Sequence, residues 1–84
     1  MIRLLYFASL REGIGTAFEE VSLPTDTKCV ADLVGWLHMR GDPWATQLSQ
    51  SKRWRVAINQ QMAGMNSPVK AGDEVAFFPP VTGG

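Results

Sequence analysis

Val30, Leu33, Val34 and Leu37 fall at i, i+3, i+4 and i+7, which lays a single apolar stripe along a helix. Short strand-like segments stand on both sides of it. One helix stripe has to be buried against a sheet face, and that restricts the fold to a two-layer α+β domain. At 84 residues the chain holds one domain. A chain of this size buries only ~60–65% of its unfolded surface, so a modest stability is expected.

The rest of the pattern supplies the sheet. Ile2 to Ala8 is apolar and aromatic, as in a buried first strand. Gly13 and Gly15 mark a loop, and Phe18 to Leu23 reads as a second strand stopped by Pro24, so the two make an antiparallel hairpin. Thr25, Asp26 and Thr27 offer caps for the helix, and Gly41 offers a stop. Asp42-Pro43 predicts a short second helix over 43–50. Trp54 to Asn59 alternates as a strand, Gln61 to Met65 as a minor one, and Glu74 to Phe78 follows the turn at 70–73. The order β-β-α-(α)-β-(β)-β matches the ubiquitin-like β-grasp: a mixed sheet, a helix on one face, and the other face open. The expected division is a domain over 1–78 and an extended, flexible Gly-Gly tail over 79–84.

Several function classes are disfavoured. Eight basic residues balance eight acidic ones, which argues against non-specific nucleic-acid binding. The short cluster Lys52-Arg53-Trp54-Arg55 reads as a solvated strand end. No apolar run nears the ~20 residues of a membrane span, and Met1 to Ala8 is too short for a signal-peptide core. A single cysteine, Cys29, fits a reducing compartment, and the expected location is cytoplasmic. Cys29 reads more readily as a small apolar side chain than as a thiolate, and His38 as a solvent-facing helix residue. Neither makes a metal site.

The tail is the informative segment. Pro79-Pro80 ends the last strand and stiffens the exit. From Pro80 onward, five residues reach ~16 Å when extended, enough to thread a narrow channel. Gly83 and Gly84 leave the terminal carbonyl unobstructed by side chains. A free α-carboxyl with a pKa of ~3.3–3.7 is an anion at neutral pH and a poor electrophile, so it needs activation, most simply by ATP. No G-x-x-x-x-G-K loop is present, so a separate enzyme would bind the ATP. A chain end that merely finishes in glycine fits the same residues.

Phe77-Phe78-Pro79-Pro80-Val81-Thr82-Gly83-Gly84, preceded by Gly72-Asp73-Glu74-Val75-Ala76, closely resembles the end of the small subunits of molybdopterin synthase. Phe7-Ala8-x-x-Arg11-Glu12 and Ala57-Ile58-Asn59-Gln60 are similar to the same family, whereas Met62 to Met65 departs from it. The resemblance implies a sulfur carrier that is not an enzyme on its own. An E1-like activating enzyme would adenylate Gly84 with ATP, and a sulfur donor protein would convert it to a thiocarboxylate. The tail, Pro80, Val81, Thr82, Gly83 and Gly84, would then enter the synthase large subunit and deliver sulfur to cyclic pyranopterin monophosphate. A heterotetramer is implied, with no cofactor bound by this chain, no metal, no nucleic acid and no membrane. A thiazole-pathway sulfur carrier or a ubiquitin-like modifier shares the fold and the Gly-Gly end.

Strand alternation separates Val75 and Phe77 from Glu74, Ala76 and Phe78, and Leu4 and Tyr6 from Leu5 and Phe7. If Val75 and Phe77 face the helix, Phe78 lies on the open face at the base of the tail. Phe7 and Met62 would extend an apolar patch there for a partner, although Phe7 and Phe78 also fit edge-core positions. The resemblance assigns Arg11 a polar contact with the activating enzyme; an ordinary surface arginine fits too.

Overall fold

The computed structural model describes residues 1–80. Its strands are β1 (Ile2–Tyr6), β2 (Phe18–Val21), β3 (Arg55–Ile58), β4 (Gln61–Ala63) and β5 (Glu74–Phe78). They form one sheet in the order β2-β1-β5-β3-β4, with β1 and β5 parallel and the other pairs antiparallel. Helices α1 (Ala8–Ile14), α2 (Val30–Met39) and α3 (Trp44–Gln47) contribute to one core. A single 3-10 turn, Gln50–Lys52, leads into β3.

Alternation decides which strand residues enter the core. Ile2, Leu4 and Tyr6 of β1 and Val75 and Phe77 of β5 are buried together with the α2 stripe Val30, Leu33, Val34 and Leu37. Each such side chain contributes about 1.5–3 kcal/mol of transfer free energy. Tyr6 stacks on Phe77 at 6.0 Å between centroids, and Trp54 meets Phe77 edge-on at 5.5 Å. Behind them the Tyr6 hydroxyl donates to Glu19 Oε2 at 2.8 Å, and Glu19 Oε1 accepts from Arg40 at 3.0 Å. The Arg40 guanidinium lies 3.8 Å from the Trp44 ring centroid and 5.2 Å from that of Trp36. Burial, aided by the Glu19 carboxylate, pushes the Tyr6 phenol well above its ordinary pKa.

Four local expectations are corrected. The segment read as a glycine-bearing loop contains α1, whose Leu10 and Ile14 are buried one turn apart. Seven residues with two apolar positions carry too little periodicity to show in sequence, and packing stabilises the helix instead. Thr25, Asp26 and Thr27 do not cap α2. Its N-cap is Cys29, half-buried and without a side-chain cap bond. The Val30 and Ala31 N–H groups donate instead to Ser67 O at 3.0 Å and Met65 O at 2.9 Å, from a loop far along the chain. His38 is half-buried rather than solvent-facing, with Nε2 2.8 Å from Leu48 O. The second helix is shorter than expected, although Asp42 does accept the Thr46 N–H at 3.1 Å.

The turn into β5 depends on a buried carboxylate. Asp73, 5% exposed, accepts from Lys70 N at 2.9 Å and Asn59 Nδ2 at 3.0 Å. Burial alone would raise its pKa; these hydrogen bonds outweigh burial and hold it below the ordinary value. A depressed folded pKa means stability that is present above the unfolded value of ~3.9 and lost as pH falls through the folded one. Asp73→Ala is expected to cost about 1–3 kcal/mol at neutral pH by leaving two donors unpaired. In thermal melts the gap from the wild type should close below about pH 4. A gap that is constant down to pH 2 would refute this account.

Candidate functional site

The parallel pairing of β1 with β5 places the first and last strands side by side in mid-sheet, so both end at the same edge of the domain. Tyr6 is registered with Phe77, and Phe7 N–H donates to Phe77 O at 3.1 Å. Phe7 and Phe78 therefore stand next to each other on the face away from the helices. Phe7 is 48% exposed and Phe78 half-buried. Val75 and Phe77 do face the helices, so the alternation expected for β5 is observed. Pro79 and Pro80 continue from this point.

Registers across the sheet define the open face row by row. Phe18, Leu5, Ala76, Ala57 and Met62 align from β2 to β4 as one apolar row. Phe78 and Arg55 are paired in the row nearer the tail. Met62, 60% exposed, shares the face with Phe78, but β3 lies between their strands. The patch is thus longer than the sequence suggested. Phe18, 54% exposed, ends the row with the Arg3 guanidinium 6.0 Å from its ring centroid. Only the β1–β2 register reveals its membership, because FEEV alone does not say which strand lies alongside.

Arg11 is exposed on α1, and its N–H donates to Phe7 O at 3.3 Å, so it lies one turn beyond Phe7. On the other side of the exit, a hollow of about 260 Å³ is lined by Ser9, Leu10, Lys52, Trp54, Pro79 and Pro80, together with Gln47. Trp54 Nε1 donates to Ser49 O at 3.1 Å, which anchors that wall. Of the expected site residues, the structure brings Phe7, Arg11, Phe78 and Pro80 to one end of the sheet. Val81, Thr82, Gly83 and Gly84 lie outside the described residues. Among the described residues no group of three or more His, Cys, Asp or Glu side chains gathers as for a metal ion. No helix among them is long and apolar enough to cross a membrane.

The sheet order, the single covered face and the central last strand make this a ubiquitin-like β-grasp domain. The chain belongs to the ThiS family, whose pattern matches residues 4–84. The molybdopterin synthase sulfur carrier subunit of Haemophilus influenzae is 44% identical over 84 residues, covering all of both chains. A Pyrococcus furiosus structure, named as a candidate subunit 1 of molybdopterin converting factor, superposes with a TM-score of 0.75 at 26% identity. That match covers 95% of this chain and 97% of the other. The small archaeal modifier protein 1 of Haloferax volcanii gives 0.71 at 26% identity, with the same coverage.

Proposed function

We propose that this chain is the sulfur carrier subunit of a molybdopterin synthase, with Gly84 as the site that holds the sulfur. The observation that carries this reading is the full-length similarity, at 44% identity, to a chain of that name. The fold is consistent with it, because the central strand β5 directs Pro79-Pro80 outward beside an exposed apolar face. In the proposed cycle a Gly84 carboxylate oxygen attacks the α-phosphorus of ATP on an activating enzyme, and pyrophosphate leaves. Sulfur delivered at the sulfide level then displaces AMP from the acyl carbon and leaves a thiocarboxylate. At neutral pH that group is an anion and a better nucleophile than a carboxylate. The large subunit would receive the tail, supply the catalytic groups and hold cyclic pyranopterin monophosphate. Phe7, Phe78 and Met62 would dock on it through the open face, and Arg11 would contact the activating enzyme.

Intact mass spectrometry tests the proposal. After incubation with an adenylating enzyme, ATP and a sulfur source, the chain should gain the mass of one oxygen-to-sulfur exchange, located at the C-terminus by fragmentation. An unchanged mass, under conditions that charge a known carrier, would sink the reading. The similarity to an archaeal modifier protein favours one alternative. If lysines of other proteins became linked to this chain through Gly84 while no synthase activity was restored, the modifier reading would replace the carrier one.

A further inference from the structure

The chain is neutral as a whole, but its charges are not evenly spread. β1 and β5 run parallel, so the sheet has one end where both begin and another where both finish. At the starting end charges of both signs meet, with Arg3 beside Glu20, Asp73 and Glu74 around Met1 and Gly72. At the finishing end, about 13 Å away along β5 at the usual rise per strand residue, the charges are positive. Arg55 is paired with Phe78 across the β3–β5 ladder and is exposed. Lys52 lines the same hollow as Pro79 and Pro80, with exposed Arg53 following it in the chain. Arg11 stands one turn beyond Phe7. Of α1, α3, the 3-10 turn and β3, the only carboxylate is that of Glu12. Among the described residues the one ion pair is Arg40 with Glu19, so these four cations have no described carboxylate partner.

We propose that Arg11, Lys52, Arg53 and Arg55 form a basic collar around the tail exit, matched to a partner protein whose tail-receiving mouth is rimmed by Asp and Glu side chains. The inference rests on the carrier reading and adds to it the charge of the partner's surface. A neutral protein with its positive pole at the tail is turned tail-first in the field of an acidic mouth, which raises the association rate without adding much to the contact itself. The apolar row beside Arg55 then completes docking. The cluster at 52–55, which in sequence looked like a solvated strand end, thereby has a reason to be concentrated at one pole.

The experiment is stopped-flow association of the full chain with the large subunit from the same organism, over a range of ionic strength. The wild-type association rate is expected to fall about tenfold or more between ~0.05 M and ~0.5 M salt. Lys52→Glu with Arg55→Glu should slow association about tenfold at low salt, flatten the salt dependence and change dissociation little. Lys28→Glu, a charge reversal away from the collar, should alter the rate less than about twofold and controls for net charge. A complex that forms at a salt-independent rate would overturn the collar alone, and the wild type settles this even if a variant folds poorly. Equal slowing by Lys28→Glu would overturn it too. If no complex forms at any salt, the carrier reading fails, and the collar with it.

Discussion

A chain lacking only Gly84 is expected to dock on the synthase large subunit with nearly unchanged affinity and to transfer no sulfur. Docking on the proposed site uses Phe7, Phe78 and the apolar row of the open face, all of which belong to the folded domain. Chemistry uses one acyl carbon at the end of the chain. Removing Gly84 shortens the reach by about 3.3–3.6 Å and leaves the carboxyl on Gly83. A partner site that requires reacting atoms within about 3–3.5 Å of each other cannot accommodate that displacement. Titration calorimetry of the complex and a single-turnover assay of molybdopterin formation separate the two properties. Retained turnover would refute Gly84 as the sulfur site. Loss of binding together with turnover would place the docking energy in the tail rather than on the sheet.

Phe77→Ala is the substitution expected to damage the fold most. Phe77 has no exposed surface and lies between Tyr6 and Trp54. Truncating a phenyl ring in such a site costs about 3–5 kcal/mol, the lost transfer energy plus the cavity left behind. At ~0.05–0.15 kcal/mol per residue, a domain of this size has roughly 4–13 kcal/mol in total. The variant should melt roughly 15–30 °C lower, or be unfolded at 37 °C. Its neighbour gives the contrast. Phe78 is half-buried on the opposite face, so Phe78→Ala should change the melting temperature little. If it is a docking residue of the usual aromatic kind, binding to the large subunit should weaken by ~2 kcal/mol or more, about thirtyfold. Equal melting losses in the two variants would show that Phe78 is core rather than interface.

These two phenylalanines also show how far the sequence could be read. Strict alternation over Glu74 to Phe78 was enough to put Val75 and Phe77 on one side and Phe78 on the other, and the structure agrees. The helix stripe at 30, 33, 34 and 37 was legible for the same reason, since all four positions repeat within one element. The third strand was legible too, but its end was not: Asn59, read as its last residue, forms the turn with Gln60, both in the left-handed region. Where the pattern was short, reading failed: α1 rests on Leu10 and Ile14 alone. Where the partner was distant, it failed as well, as with the α2 N-terminus held by Met65 and Ser67 and the Arg40 side chain held by Glu19, Trp36 and Trp44.

Periodicity and the Pro-Pro-x-x-Gly-Gly ending are local properties, decided by dihedral preferences and by which side chains can share a face within a few residues. From these, the sequence alone determined the two-layer class, the order of the main elements and the chemical interest of the tail. Tertiary structure decided what stands beside the tail. Parallel pairing of β1 with β5 is a contact between residues some seventy positions apart; it brings Phe7 to Phe78 and, together with the β1–β2, β3–β5 and β3–β4 pairings, joins Phe18 and Met62 into one row. It also gathers Arg11, Lys52, Arg53 and Arg55 at one pole of a chain whose net charge is zero, because a charge balance is a sum and only a fold gives it direction.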